Sequence, residues 1–136
     1  KIWENNEFLA ILDVNPNTRG MTVVMTKNHY SSKVFDLPES VYVKFLAIVR
    51  NVAKLLENQL KVKRVAMVLE STRVDHAHVK LYPVSVVVER FKEMTTKNRT
   101  FFDCYGGYLS TQLGPKVDLT ELKKLAERIK GKTKEF

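Results

Sequence analysis

Phe8-Leu-Ala-Ile-Leu-Asp13 and Met21-Thr-Val-Val-Met-Thr26 are two short apolar runs separated by Val14-Asn15-Pro16-Asn17-Thr18-Arg19-Gly20. Asn-Pro-Asn and Arg-Gly are turn formers, and the spacing is too short for a crossover helix, so the two runs are read as an antiparallel hairpin. Downstream, Asp36-Leu-Pro-Glu39 places a cap, an early proline and a carboxylate at the intervals of a helix start. Val41, Phe45, Ile48, Val49, Val52, Leu56 and Leu60 then recur at helical spacing, which predicts a helix ending near residue 60. Three further strands are expected over Lys63–Glu70, His76–Leu81 and Ser85–Arg90, with Pro83 interrupting the ladder. Residues 95–115 read as a loop. A last helix is expected from the Asp118/Glu121 capping pattern through Leu119, Leu122, Leu125 and Ile129 to Gly131. Hairpins without regular β-α alternation predict an α+β domain, an antiparallel five-stranded sheet with one long and one C-terminal helix on one face. The expected organisation is a single domain over residues 1–136, with its core in 2–90 and a loop and helix in 91–136.

Composition agrees with one globular core. The chain has 136 residues, 44% hydrophobic and 28% charged, with only 5 Gly and 4 Pro, which excludes disordered, collagenous and low-complexity classes. Apolar runs of a few residues exclude a membrane-spanning helix. Cys104 is the single cysteine, so neither an internal disulfide nor a multi-cysteine zinc site can form, and the expected location is cytoplasmic. The chain opens at Lys1 with no signal-peptide pattern and reads as trimmed upstream. A net charge of +8 favours anionic partners. Lys123, Lys124, Arg128, Lys130, Lys132 and Lys134 are read as a solvated helix face and tail. Nucleic acid is not the expected partner, because the aromatic residues are scattered instead of interleaved with the cations. Gly106-Gly107 is too short for a phosphate loop, and the Asn98-Arg-Thr100 sequon is read as incidental.

The segment richest in chemistry is Asp75-His76-Ala77-His78-Val79-Lys80-Leu81. On a strand, His76, His78 and Lys80 project from one face while Ala77, Val79 and Leu81 enter the core. Such a stripe suits a histidine nucleophile attacking phosphorus or a carbonyl, a metal site, or anion binding without turnover. It also suits two half-buried histidines satisfied by backbone carbonyls. A metal needs further ligands, and His29 is the only other histidine; an ammonium at Lys80 favours the anion-handling options.

His76-Ala-His78-Val-Lys80-Leu-Tyr-Pro83 resembles the signature of the histidine triad family, His-x-His-x-His followed by apolar residues. Ile2-Trp-Glu-Asn-Asn, Phe8–Asp13, Pro16, Gly20-Met-Thr-Val-Val, Lys27-Asn-His29 and Val34-Phe-Asp-Leu37 fall in the order and spacing of the family's first half, so the likeness covers most of residues 2–83. Tyr105-Gly-Gly-Tyr-Leu-Ser-Thr111 is similar to the tail of some bacterial members. The resemblance implies a nucleotide-binding α+β fold, a homodimer, and a purine mononucleotide or dinucleotide substrate. It also implies a nucleotidyl-histidine intermediate on the middle histidine, here His78, in a hydrolase or nucleotidyltransferase. Asp13 matches the residue that binds the ribose hydroxyls, and Ile11 and Leu12 match positions beside the base. His76 matches the first triad histidine, which in zinc-bearing relatives joins the equivalent of His29 and an upstream Cys-x-x-Cys. That cysteine pair is absent here, so no zinc or other cofactor is expected, and His29 and His76 are expected to hydrogen-bond.

The chain departs from the family pattern at two places. Lys80 stands where the third histidine is usual, and it supplies a point charge in place of a neutral imidazole. Glu70-Ser-Thr-Arg-Val-Asp75 replaces the Asn and Gly-Gln positions that hold phosphates in many hydrolases, with Ser71, Thr72 and Arg73 as substitutes suited to phosphate oxygens. Met21 stands at a frequent histidine position and is expected to pack. These departures leave two functions open, an enzyme and a nucleotide-binding module without turnover.

Overall fold

The computed structural model describes residues 1–70 and 74–84, together with Asp118 and Thr120. The chain divides into two compact units, Lys1–Phe91 and Lys92–Phe136, and every element below belongs to the first. The alternating apolar runs form strands: β1 (Trp3–Glu4), β2 (Phe8–Leu12), β3 (Thr22–Thr26), β4 (Arg64–Val68) and β5 (His78–Val84). They make one sheet in the order β1-β2-β3-β5-β4, with every pairing antiparallel. With the helix α1 (Glu39–Leu60), this is the expected α+β fold.

The β2–β3 pair is the expected hairpin. Its turn ends on Gly20 at φ +83°, a left-handed conformation that glycine adopts without a Cβ penalty, and a Cβ there would run into Leu60 Cδ1. Alternation then sorts the side chains. Phe8, Ala10, Val24, Val79 and Leu81 are buried against α1, which inserts Phe45, Val49, Val52 and Leu56. Phe8 and Phe45 stack with ring centroids 5.6 Å apart. Met21 is buried, as expected of a packing residue.

Four boundaries differ from expectation. Asp36 does not cap α1: it closes a 3₁₀ turn over Val34–Asp36, and Pro38 occupies the N-cap with no side-chain bond. The capping pattern fits both geometries, and Pro38 at φ −52° pre-sets the helix entry instead. The N-terminal strand β1, too short for periodicity to register, is held by Ile2 N–H donating to Ala10 O at 2.9 Å. The fourth strand is shorter than the Lys63–Glu70 run, and β5 begins at His78 instead of His76 and runs through Pro83. Pro83 is tolerated because its carbonyl accepts the Thr18 hydroxyl (2.9 Å) from the β2–β3 turn. In extended backbone a residue's N and O face the same side, so the absent donor also faces that turn and no bond to β4 is lost. Helix α1 ends at Lys61, in the left-handed conformation at φ 56°.

The strand expected over 85–90, the 95–115 loop with Cys104, Tyr105 and Tyr108, and the body of the last helix lie outside the described residues. At that helix's expected start, Asp118 Oδ1 accepts the backbone N–H of Thr120 at 2.7 Å, and Thr120 is helical.

Candidate active site on the outer face of the sheet

Register places the chemistry on the sheet face opposite α1. Met25 pairs with Leu9 on one side and His78 on the other, while Val23 joins Ile11 to Lys80. Cross-strand partners share a face, so Leu9, Ile11, His78 and Lys80 lie together, with Val68 beside Lys80. Asp13 continues the ladder, its N–H donating to Met21 O at 2.9 Å, and alternation puts it on this face too. One of its carboxylate oxygens accepts the Asn15 N–H at 2.8 Å. Leu12 points to the other side, where with Arg19, Leu55, Leu56 and Leu60 it lines a groove of about 460 Å³ that contains no histidine. Ile11 and Leu12 therefore serve different faces.

His78 sits at the start of β5, 9% exposed, paired with Met25 of the central strand β3. Its Nδ1 lies 2.7 Å from the His76 carbonyl. A carbonyl can only accept, so Nδ1 carries the hydrogen and the lone pair of the neutral ring is on Nε2. Among the described residues nothing hydrogen-bonds to Nε2.

His76 precedes the strand, in a bend, and turns its ring to β3: Nε2 is 2.6 Å from Thr26 O and 3.2 Å from Thr26 Oγ1, and it donates to the carbonyl. The His29 ring meets it edge-on at 5.5 Å and donates from Nε2 to Asp75 O at 2.9 Å. Both rings donate from Nε2 and keep their lone pairs on Nδ1, and among the described residues no three His, Cys, Asp or Glu side chains converge.

Lys80 forms an ion pair with Glu70, both side chains mostly buried at 15% and 11% exposure. Its charge is compensated within the protein. Ser71, Thr72 and Arg73 lie outside the described residues. Sequence reasoning assigned no role to Asp75, Thr26, Ser31, Ser32 or Glu70. Asp75 Oδ1 accepts the Ser32 N–H at 2.8 Å and the Ser31 hydroxyl at 3.1 Å. These bonds, the Ser32 one foremost, hold its carboxyl below the ordinary aspartate pKa. Its position directly before the histidine pair was the one signal available.

The family model of the HIT domain matches residues 1–92, which include the whole sheet, α1 and the histidine pair. The chain belongs to the HIT domain family. Among solved structures, a Streptococcus mutans protein superposes with a TM-score of 0.66 at 24% identity, covering 96% of this chain and 74% of that one. A HIT family member from Bacillus subtilis gives 0.65 at 16% identity, covering 99% and 88%. A hypothetical histidine triad nucleotide-binding protein from Sulfolobus tokodaii gives 0.58 at 21%, covering 73% and 70%. A search of curated proteins finds no match. No helix among the described residues of this HIT protein is long and apolar enough to cross a membrane.

Proposed function

We propose that this HIT protein is a nucleotidyl hydrolase or transferase acting on nucleoside phosphoramidates or dinucleoside polyphosphates of the purine class, with His78 as nucleophile. The observation that carries this reading is the Nδ1–H bond to the His76 carbonyl, which leaves the attacking lone pair on Nε2. Nε2 forms a bond to the α-phosphorus. The bond from phosphorus to the leaving oxygen or nitrogen breaks, and its electron pair departs with the leaving group, which takes up a proton. The resulting imidazolium is stabilised by its hydrogen bond to the His76 carbonyl. Water then attacks the phosphorus, displaces neutral His78 and loses a proton to solvent; in a transferase a phosphate oxyanion attacks instead and displaces His78 with no proton to lose.

Asp13 is the proposed ribose ligand, since a carboxylate accepts hydrogen bonds from two vicinal hydroxyls. It lies two strands across and four residues along from His78, on the order of 15 Å between backbones from standard sheet spacings. Both residues lie on the same sheet face, and the span between them is the one a ribose phosphate would bridge. Ile11, on the same face, flanks the base; Leu12 reaches a base only past the end of β2. Ser71, Thr72 and Lys80, at the position read as the third of the triad, contact the phosphate. His76 and His29 order the approach to β5, and the active form is a homodimer.

A second reading, a nucleotide-binding module without turnover, draws on the Lys80–Glu70 pair, which leaves little net positive charge for a phosphate undergoing transfer. Intact mass spectrometry after brief incubation with an adenosine phosphoramidate and with a dinucleoside polyphosphate, quenched without acid, separates the two. A nucleotidyl adduct absent from His78→Ala is the expected result. Stabilisation by AMP with no adduct and no released monophosphate replaces the enzyme with the module.

A further inference from the structure

The hydrogen bond that sets the His78 tautomer is made by a peptide plane, and that plane is held from its other edge. The His76 C=O and the Ala77 N–H belong to one trans peptide and point in opposite directions. The Ala77 N–H donates to Tyr30 O at 2.9 Å, which aims the His76 carbonyl back at His78 Nδ1. Tyr30 lies in an irregular stretch before the 3₁₀ turn, so no sheet ladder fixes its carbonyl. Beside the Ala77–Tyr30 bond, this stretch is tied to residues 74–77 by Asp75. Its carboxylate takes the Ser31 hydroxyl and the Ser32 N–H, and its own carbonyl takes the His29 Nε2–H. Asp75 thus brackets Tyr30 on both sides.

We propose that Asp75 is a positioning residue: by clamping residues 29–32 against 74–77 it fixes the His76–Ala77 peptide plane and so holds His78 in its Nδ1–H tautomer. Without the clamp, the plane can turn and the His78 ring exchanges between its two neutral tautomers, putting a hydrogen on the nitrogen that must attack. The catalytic meaning of the clamp rests on the nucleophilic role proposed for His78; the tautomer itself does not.

Nitrogen-15 spectra of the imidazoles in the full chain, above the pH at which the rings are neutral, read the tautomer directly, with His78 assigned by the loss of its signals in His78→Ala. The wild type is expected to show one His78 tautomer, with Nδ1 protonated. Asp75→Ala is expected to shift both ring nitrogens towards the values of a mixture, Asp75→Asn, which keeps the acceptor oxygen, to restore the wild-type values, and Ser31→Ala to shift them less. Asp75 and Ser31 are exposed, so neither truncation removes core packing. In turnover, Asp75→Ala is expected to lower kcat by on the order of tenfold to a hundredfold with KM unchanged, as for a nucleophile displaced by a fraction of its reach.

A single Nδ1–H tautomer retained in Asp75→Ala overturns the inference, whatever the turnover. A tautomer shift in a protein whose wild type makes no nucleotidyl adduct upholds the clamp and defeats the proposed activity. An active wild type whose Asp75→Ala variant keeps both tautomer and kcat does the reverse.

Discussion

His78 and Lys80 stand two residues apart on one strand face, yet each is conditioned by a neighbour that no spacing rule singles out. Lys80 is compensated by Glu70 in a mostly buried pair. Glu70→Ala leaves an ammonium with little water and no carboxylate and is expected to cost about 1–3 kcal/mol in denaturant unfolding. The double variant Glu70→Gln with Lys80→Met is expected to lose less, because no charge is stranded. At Asp75 the folded state favours the ionised form, so the stability it adds is complete above the ordinary aspartate pKa and is lost as pH falls through the lowered folded value. Carbon-13 titration of the carboxyl is expected to place Asp75 below ordinary aspartates, and Ser31→Ala to move it back up. The His-x-His pair and the core role of Ala77, Val79 and Leu81 were legible from alternation alone. The tautomer and the ion pair were not, since one depends on how the His76 carbonyl turns in the bend before β5 and the other on a carboxylate at residue 70.

Among the elements, the long helix and the β2–β3 hairpin followed from periodicity because each repeats its signal several times: four apolar contacts along α1, two alternating runs around a glycine turn. Ends were less legible. A two-residue strand has no period, and a capping pattern such as Asp36–Glu39 fits a 3₁₀ turn as well as a helix start. Pro83 argued against a central strand because the rule concerns donors, and which side lacks one is settled only by the Thr18 contact. Two substitutions test how the helix and hairpin are joined. Phe45→Ala removes a fully buried ring stacked on Phe8 and is expected to lower unfolding stability by about 3–5 kcal/mol. Gly20→Ala forces a left-handed alanine whose methyl meets Leu60, an expected loss of about 1–2 kcal/mol or more, read as a fall in melting temperature.

For the whole molecule, a charge of +8 draws phosphate-bearing ligands in from a distance even where the ion pair at Lys80 is neutral overall. The apparent affinity for a mononucleotide, measured by thermal shift or calorimetry, is therefore expected to weaken as ionic strength rises, since screening shortens the field to about 10 Å near 0.1 M salt. The helix end at Lys61 bears on a different property. A lysine there adopts a backbone shape that glycine takes freely, on an exposed position across the sheet from the histidines. The protein thus carries an unused reserve of heat tolerance: Lys61→Gly offers about 1 kcal/mol and a few degrees of melting temperature. An engineer could draw on that reserve to offset destabilising changes around His78 while leaving its surroundings untouched.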